Sequence, residues 1–123
     1  MITGNRIAHI LNHMPELYYR AKSVLIAKGW QQHPDGIHFT RPGKEIQKNS
    51  YSAVFAPWPD VDDIPHFTVF SASSNILPFR QKIAYKPVDV ISMLQYSDNY
   101  TQCVNDLAAE LLVPDKNCIS PNS

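Results

Sequence analysis

Gly36-Ile37-His38-Phe39-Thr40-Arg41-Pro42-Gly43-Lys44 is the stretch on which the fold turns. Ile37 and Phe39 fall on one side of an extended chain, His38 and Thr40 on the other, the period-two alternation of a half-buried strand. Arg41-Pro42-Gly43-Lys44 then stops the strand. Proline arrives with its φ already set for the second place of a turn, and glycine at the third accepts the positive φ that a type II turn requires. Upstream, His33-Pro34-Asp35-Gly36 is a second turn, its Asp-Gly pair suited to the positive φ angles of tight hairpins. Downstream, Ser50 to Phe55 and Phe67 to Phe70 read as the next two strands. Between these two lies Pro57-Trp58-Pro59-Asp60-Val61-Asp62-Asp63-Ile64-Pro65, whose prolines and aspartates exclude regular structure and mark a surface loop or insertion. Ser71 to Asn75 leaves the third strand as a loop of small residues.

Helical patterns flank this β segment. Leu17, Ala21, Val24, Leu25 and Lys28 share one face of a helix running from Glu16 to Lys28, with Pro15 and Glu16 in its first turn and Gly29 placed for a left-handed C-terminal cap. Before it, Ile7, Ile10, Leu11 and Met14 have helical spacing, so residues 1–14 are expected as a short helix or a mobile arm. Pro87 opens a helix carrying Val88, Ile91, Met93 and Leu94. Ser97 or Asp98 is the expected cap of a last helix bearing Val104, Leu107, Ala108 and Leu111, which Pro114 ends. The expected architecture is α+β: a small antiparallel sheet of three to four strands, an N-terminal helix and two C-terminal helices. It forms one domain over residues 15–113, with a flexible tail at 114–123.

The 123 residues suit a single domain, and 44% apolar with 18% charged residues gives it a core. No apolar run reaches the roughly 18 residues of a membrane span, and Met1 to Arg6 lacks a signal-peptide pattern. With only Cys103 and Cys118, neither a disulfide framework nor a four-thiolate zinc site can be built. A soluble, cytoplasmic protein without membrane contact or cofactor is expected.

Most catalytic patterns are missing. His9 and His13 share a helical face but lack the glutamate of His-Glu-x-x-His, and no metal site is expected. Cys103 reads as a small core hydrophobe, Cys118 has no histidine near it in sequence, and no Gly-x-Ser-x-Gly elbow occurs. Asp60, Asp62 and Asp63 lack the frame of a calcium loop and read as solvated. A non-enzymatic protein is expected. A histidine-dependent hydrolase stays open only if His33, His38 or His66 converges with an acid in a pocket.

The net charge of zero hides an uneven distribution. From Arg20 to Lys86 there are nine Lys and Arg against five acids, three of them in the proline-bounded loop. Beyond Lys86 five acids accompany Lys116 alone. Arg41 and Lys44 put two cations on a turn with free N–H groups, a geometry that holds phosphate oxygens. Phe39, Tyr51, Phe55, Phe67 and Phe70 interleave with the bases as in a stacking platform for single strands, although alternation assigns most of them to the core. The facing of Tyr51 depends on whether a bulge interrupts its strand.

Gly29-Trp30, Gly36 to Lys44, Phe67-Thr-Val-Phe-Ser-Ala-Ser-Ser-Asn75 and Pro78-Phe79, taken in order, resemble a domain of plasmid, phage and mobilizable-transposon primase and primase–helicase proteins. Tyr85 to Leu94 and Asn99 to Ala108 are similar to the helical pair that follows the zinc ribbon of replicative primases. The resemblance covers about residues 22–112. In the zinc-binding ribbon, Cys and His ligands occupy two turns; here Thr40 to Lys44 and Ser71 to Asn75 stand there without ligands, so the resemblance is to a metal-free version. It implies an accessory role in replication or excision of a mobile element, through template single strands or primer–template, or through a primase or helicase partner. The residues expected to meet nucleic acid are Arg41, Lys44, Lys48, Ser73, Asn75, Arg80 and Lys82. The alternative is a protein-interaction module in which Trp58 and the Asp60–Asp63 loop meet a basic partner.

Overall fold

In a computed structural model, residues 4–48, 50–56 and 64–112 are described. Trp58, the Asp60–Asp63 loop, Cys118 and the tail 114–123 lie outside the described residues.

Prolines and glycines punctuate the chain where their backbone chemistry demands. Helix α1 spans Gly4–Asn12, and Pro15 then opens α2, Pro15–Ala27. Met14 before it is extended, as the residue preceding a proline prefers. Gly29, at φ +101°, turns the chain out of α2 while Gly29 and Trp30 N–H groups donate to the carbonyls of Ile26 and Leu25. Five strands follow: β1 Gln31–Gln32, β2 His38–Thr40, β3 Ala53–Phe55, β4 Phe67–Val69 and β5 Ala84–Tyr85. They form one antiparallel sheet in sequential order. Helices α3, Pro87–Gln95, and α4, Tyr100–Leu111, complete the α+β fold. Among the described residues no helix is long and apolar enough to cross a membrane.

Five strands exceed the three to four expected, because β1 and β5 hold two residues each, too few for alternation to register. The last helix is capped by Asn99, whose Oδ1 accepts the Gln102 N–H at 3.2 Å. Ser97 and Asp98, the expected caps, have positive φ and form the turn before it.

The ladder pairs Phe39 with Ala53, Ala53 with Val69, and Phe55 with Phe67. Side chains from these positions, all fully buried, make the core face of the sheet. Phe67 stands at its centre, its ring 5.2 Å from Trp30, 5.5 Å from Phe55 and 5.0 Å from Phe79. Tyr18 of α2 is buried against Phe55 and donates its hydroxyl to the Phe55 carbonyl at 2.7 Å. Burial pushes that phenol up to about 12.

Helix α3 lies against α1, α2 and α4. Asn12, buried at the end of α1, accepts the Val88 N–H at 2.9 Å, satisfying one of the orphan donors at the start of α3. Ala8 and Leu11 of α1 belong to the core, and Arg20 of α2 pairs with Glu110 of α4 across the helical layer.

Candidate functional site

The Arg41–Lys44 turn is held from both sides. A methyl group at Gly29 would lie 3.3 Å from Pro42 Cβ, so the turn abuts the end of α2. One at Gly43 would lie 3.0 Å from Asn75 Nδ2, so the turn also abuts the Ser71–Asn75 loop. Gly43 itself has φ +82°, and the Lys44 N–H reaches the Arg41 carbonyl at 3.3 Å, as a type II turn requires.

Ser52 ties the two loops together. Its hydroxyl accepts the Arg41 N–H at 3.0 Å, and its carbonyl accepts the N–H groups of Phe70 at 2.7 Å and Ser71 at 3.3 Å. The Ser52 N–H donates to Phe39 O, although Phe39 is already paired with Ala53. Two residues therefore oppose one, and this bulge takes Tyr51 out of step with Ala53 and Phe55.

Four of the expected contact residues are thereby gathered: Arg41, Lys44, Ser73 and Asn75. Ser73 Oγ accepts the Asn75 N–H at 3.2 Å and shapes the loop. Lys82, exposed at φ +65°, joins them at the end of β4 through a 2.8 Å bond from its N–H to Val69 O. Gln81 beside it donates its amide to Phe70 O. Arg80 is exposed, its N–H held by the Tyr85 hydroxyl at 2.7 Å, with no bond to the turn. Lys48 lies apart, on the wall of a cleft.

None of Arg41, Lys44, Lys48, Arg80 and Lys82 forms an ion pair with a described acid. Lys44 Nζ donates to the Ser50 hydroxyl at 3.3 Å, and Arg41 Nε is shielded from solvent with no hydrogen-bond partner among the described residues.

The aromatic platform is smaller than the sequence suggests. Phe39, Phe55 and Phe67 are fully buried, whereas Tyr51 and Phe70 are 39% and 48% exposed. Tyr51 stacks on His38 with centroids 4.0 Å apart and meets His33 edge-on at 4.8 Å. It borders a cleft of about 500 Å³ lined by His33, Pro34, Asp35, Ile46, Gln47, Lys48 and Tyr51.

The cleft is lined by His33 and an acid, Asp35, which pairs with His38 outside the lining, and His66 is not among the lining residues. Asp35 Oδ1 accepts the N–H groups of Ile37 and His38, and Oδ2 lies 2.6 Å from His38 Nδ1. Partial burial opposes ionisation of this carboxyl, but those N–H groups and the imidazole outweigh it and hold the group down at about 2. His33 Nε2 is spent on the Thr40 hydroxyl at 2.6 Å, and Thr40 is fully buried, so that hydroxyl cannot meet a substrate. Cys103 is buried too, and desolvation pushes its thiol up to about 12, leaving no thiolate at neutral pH. Among the described residues no three His, Cys, Asp or Glu side chains are grouped to hold a metal ion.

The spacing across the Asp-Gly turn already allows His33 and His38 to approach each other. The cleft and the Tyr51 stack were hidden because they follow from the bulge at Ser52, which has no sequence signature. No family model, curated protein or solved structure matches the chain.

Proposed function

We propose that this protein is a non-enzymatic module that binds single-stranded nucleic acid, an accessory domain of a mobile-element primase, replication or excision protein. One observation carries the reading. The Arg41–Lys44 turn and the Ser71–Asn75 loop, far apart in sequence, meet against Asn75 and are joined through Ser52, leaving Arg41, Lys44 and Lys82 without acidic partners among the described residues. Arg41 and Lys44 grip phosphate, Ser73 and Asn75 add hydrogen bonds, and Lys82 and Arg80 extend the track.

On this reading the same two loops stand where a zinc ribbon carries its ligands, and hydrophobic packing does what the metal would otherwise do. The alternative, a protein-interaction module centred on Trp58, draws nothing from the described residues.

Anisotropy of labelled single-stranded DNA, titrated with protein at two or more salt concentrations, tests the reading. Binding is expected to weaken steeply with salt. Arg41→Glu with Lys44→Glu is expected to abolish it at low salt. Milder neutral substitutions at both positions are expected to flatten the log–log salt slope by about 1.4, or ~0.7 for each phosphate left without its cation. Binding that ignores both substitutions sinks the proposal.

A further inference from the structure

The cleft contributes Lys48 to the phosphate track, and the rest of its lining, His33, Pro34, Asp35, Ile46, Gln47 and Tyr51, has no part in that track. We infer that it receives one unstacked nucleobase of the bound strand, with Tyr51 as the stacking surface; this inference rests on the proposed strand binding at the Arg41–Lys44 turn.

Size is the first argument. About 500 Å³ falls among small-molecule sites, roughly 300–1,000 Å³, and admits a nucleoside. The second is the state of Tyr51. Tyr51 lines the cleft and stays 39% exposed, whereas His38, stacked on its ring, does not line it. His38 is itself anchored to Asp35, and His33 to Thr40, so the exposed ring is braced by two fixed neighbours. An aromatic surface held before binding loses little conformational freedom when a base stacks on it.

Charge selects what enters. Asp35 and Lys48, of opposite charge, both line the cleft, so the lining gives phosphate no net attraction, while exposed Ile46 offers contact to a neutral flat ring. Gln47 supplies an amide able both to donate to and accept from a base edge. Lys48 stands on the same β2–β3 connection as Arg41 and Lys44, so a backbone tracking those cations would present a base to the cleft and keep its phosphates outside.

The test uses a short oligodeoxythymidylate carrying one 2-aminopurine, with AMP and TMP as the free-nucleotide arms. Tyr51→Ala, Tyr51→Phe and the Arg41→Glu/Lys44→Glu pair are compared, each with its thermal melt. The wild-type chain should quench the 2-aminopurine on binding. Tyr51→Ala should remove the quench and weaken binding roughly 5- to 150-fold, with Tyr51→Phe close to wild type. If Tyr51→Ala keeps both quench and affinity while the charge reversals abolish binding, the cleft inference is overturned and the phosphate reading stands. If the strand does not bind but AMP or TMP shifts the NMR signals of His33, Lys48 and Tyr51, the cleft remains a base site for a free nucleotide and the strand reading falls. If neither strand nor nucleotide binds, both are overturned.

Discussion

The core face of the sheet and its loop end are made from the same short strands, yet they end in opposite conditions. On the core face, Phe39, Ala53, Phe55, Phe67 and Val69 lose all contact with water. At the loop end, one residue beyond β2, Arg41 begins a run of cations with no described acid to neutralise them. The first region gains stability from apolar burial. The second is held in shape by hydrogen bonds through Ser52, and its cations form no ion pair with a described acid. Stability and, under the proposed function, recognition then fall to different atoms of the same sheet, and substitutions should separate them.

The largest effect belongs to the core. Phe67→Ala removes a ring that touches Trp30, Phe55 and Phe79 and leaves a cavity that those rigid neighbours fill poorly. The expected loss is about 3–5 kcal/mol, a large fraction of the ~5–15 kcal/mol typical of a domain. Urea unfolding followed by circular dichroism measures it. Arg41→Glu with Lys44→Glu, at two half-buried positions, should cost about 1 kcal/mol per substitution in the same experiment, well below the core loss. A core-sized loss there would show that the turn is structural and would collapse the distinction.

Much of that distinction is legible in the sequence. Leu17, Ala21, Val24 and Leu25 announce α2 by period, and Pro15 and Gly29 mark its limits. Asp35-Gly36 and Pro42-Gly43 locate both turns, since their backbone demands are local. What stays hidden is non-local. Strands β1 and β5 exist only through their partners, as two-residue ladders against β2 and β4. Asn12 reaches Val88, 76 residues away, a bond no spacing rule anticipates. The apposition of Gly43 and Asn75 is of the same kind. Cations on a turn can be read from sequence, but their meeting with the Ser71–Asn75 loop cannot.

That apposition can be isolated by an intermediate effect. Gly43→Ala meets two obstacles, a φ of +82° and an Asn75 Nδ2 only 3.0 Å from the new methyl. Gly36→Ala meets the first alone in comparable degree, with φ +73° and nothing nearer than Lys22 Nζ at 3.9 Å. Each substitution should cost about 1–3 kcal/mol from the backbone term. Gly43→Ala should cost more, and it alone should weaken single-strand binding by displacing Asn75. Equal costs and equal binding for the two would mean that the loops touch without depending on each other.

The smallest effect distinguishes the regions by their response to acid. The Asp35 carboxyl, at about 2 in the folded protein, titrates near its ordinary value of about 4 when the chain unfolds. Its contribution is therefore fully present above pH ~4 and is lost as pH falls through about 2, because the unfolded chain binds the proton first. The carboxylate is 40% exposed, so water screens the pair with His38 and the gain is modest. Asp35→Asn should flatten the fall in stability over this window, lowering stability modestly at neutral pH and leaving it little changed below pH ~2. Phe67→Ala should instead lower the whole curve in parallel, since no charge is altered. If Asp35→Asn left the acid slope intact, the carboxylates responsible would have to be sought elsewhere, with Glu110, lowered by its bond to Arg20 across the helical layer, the next to remove.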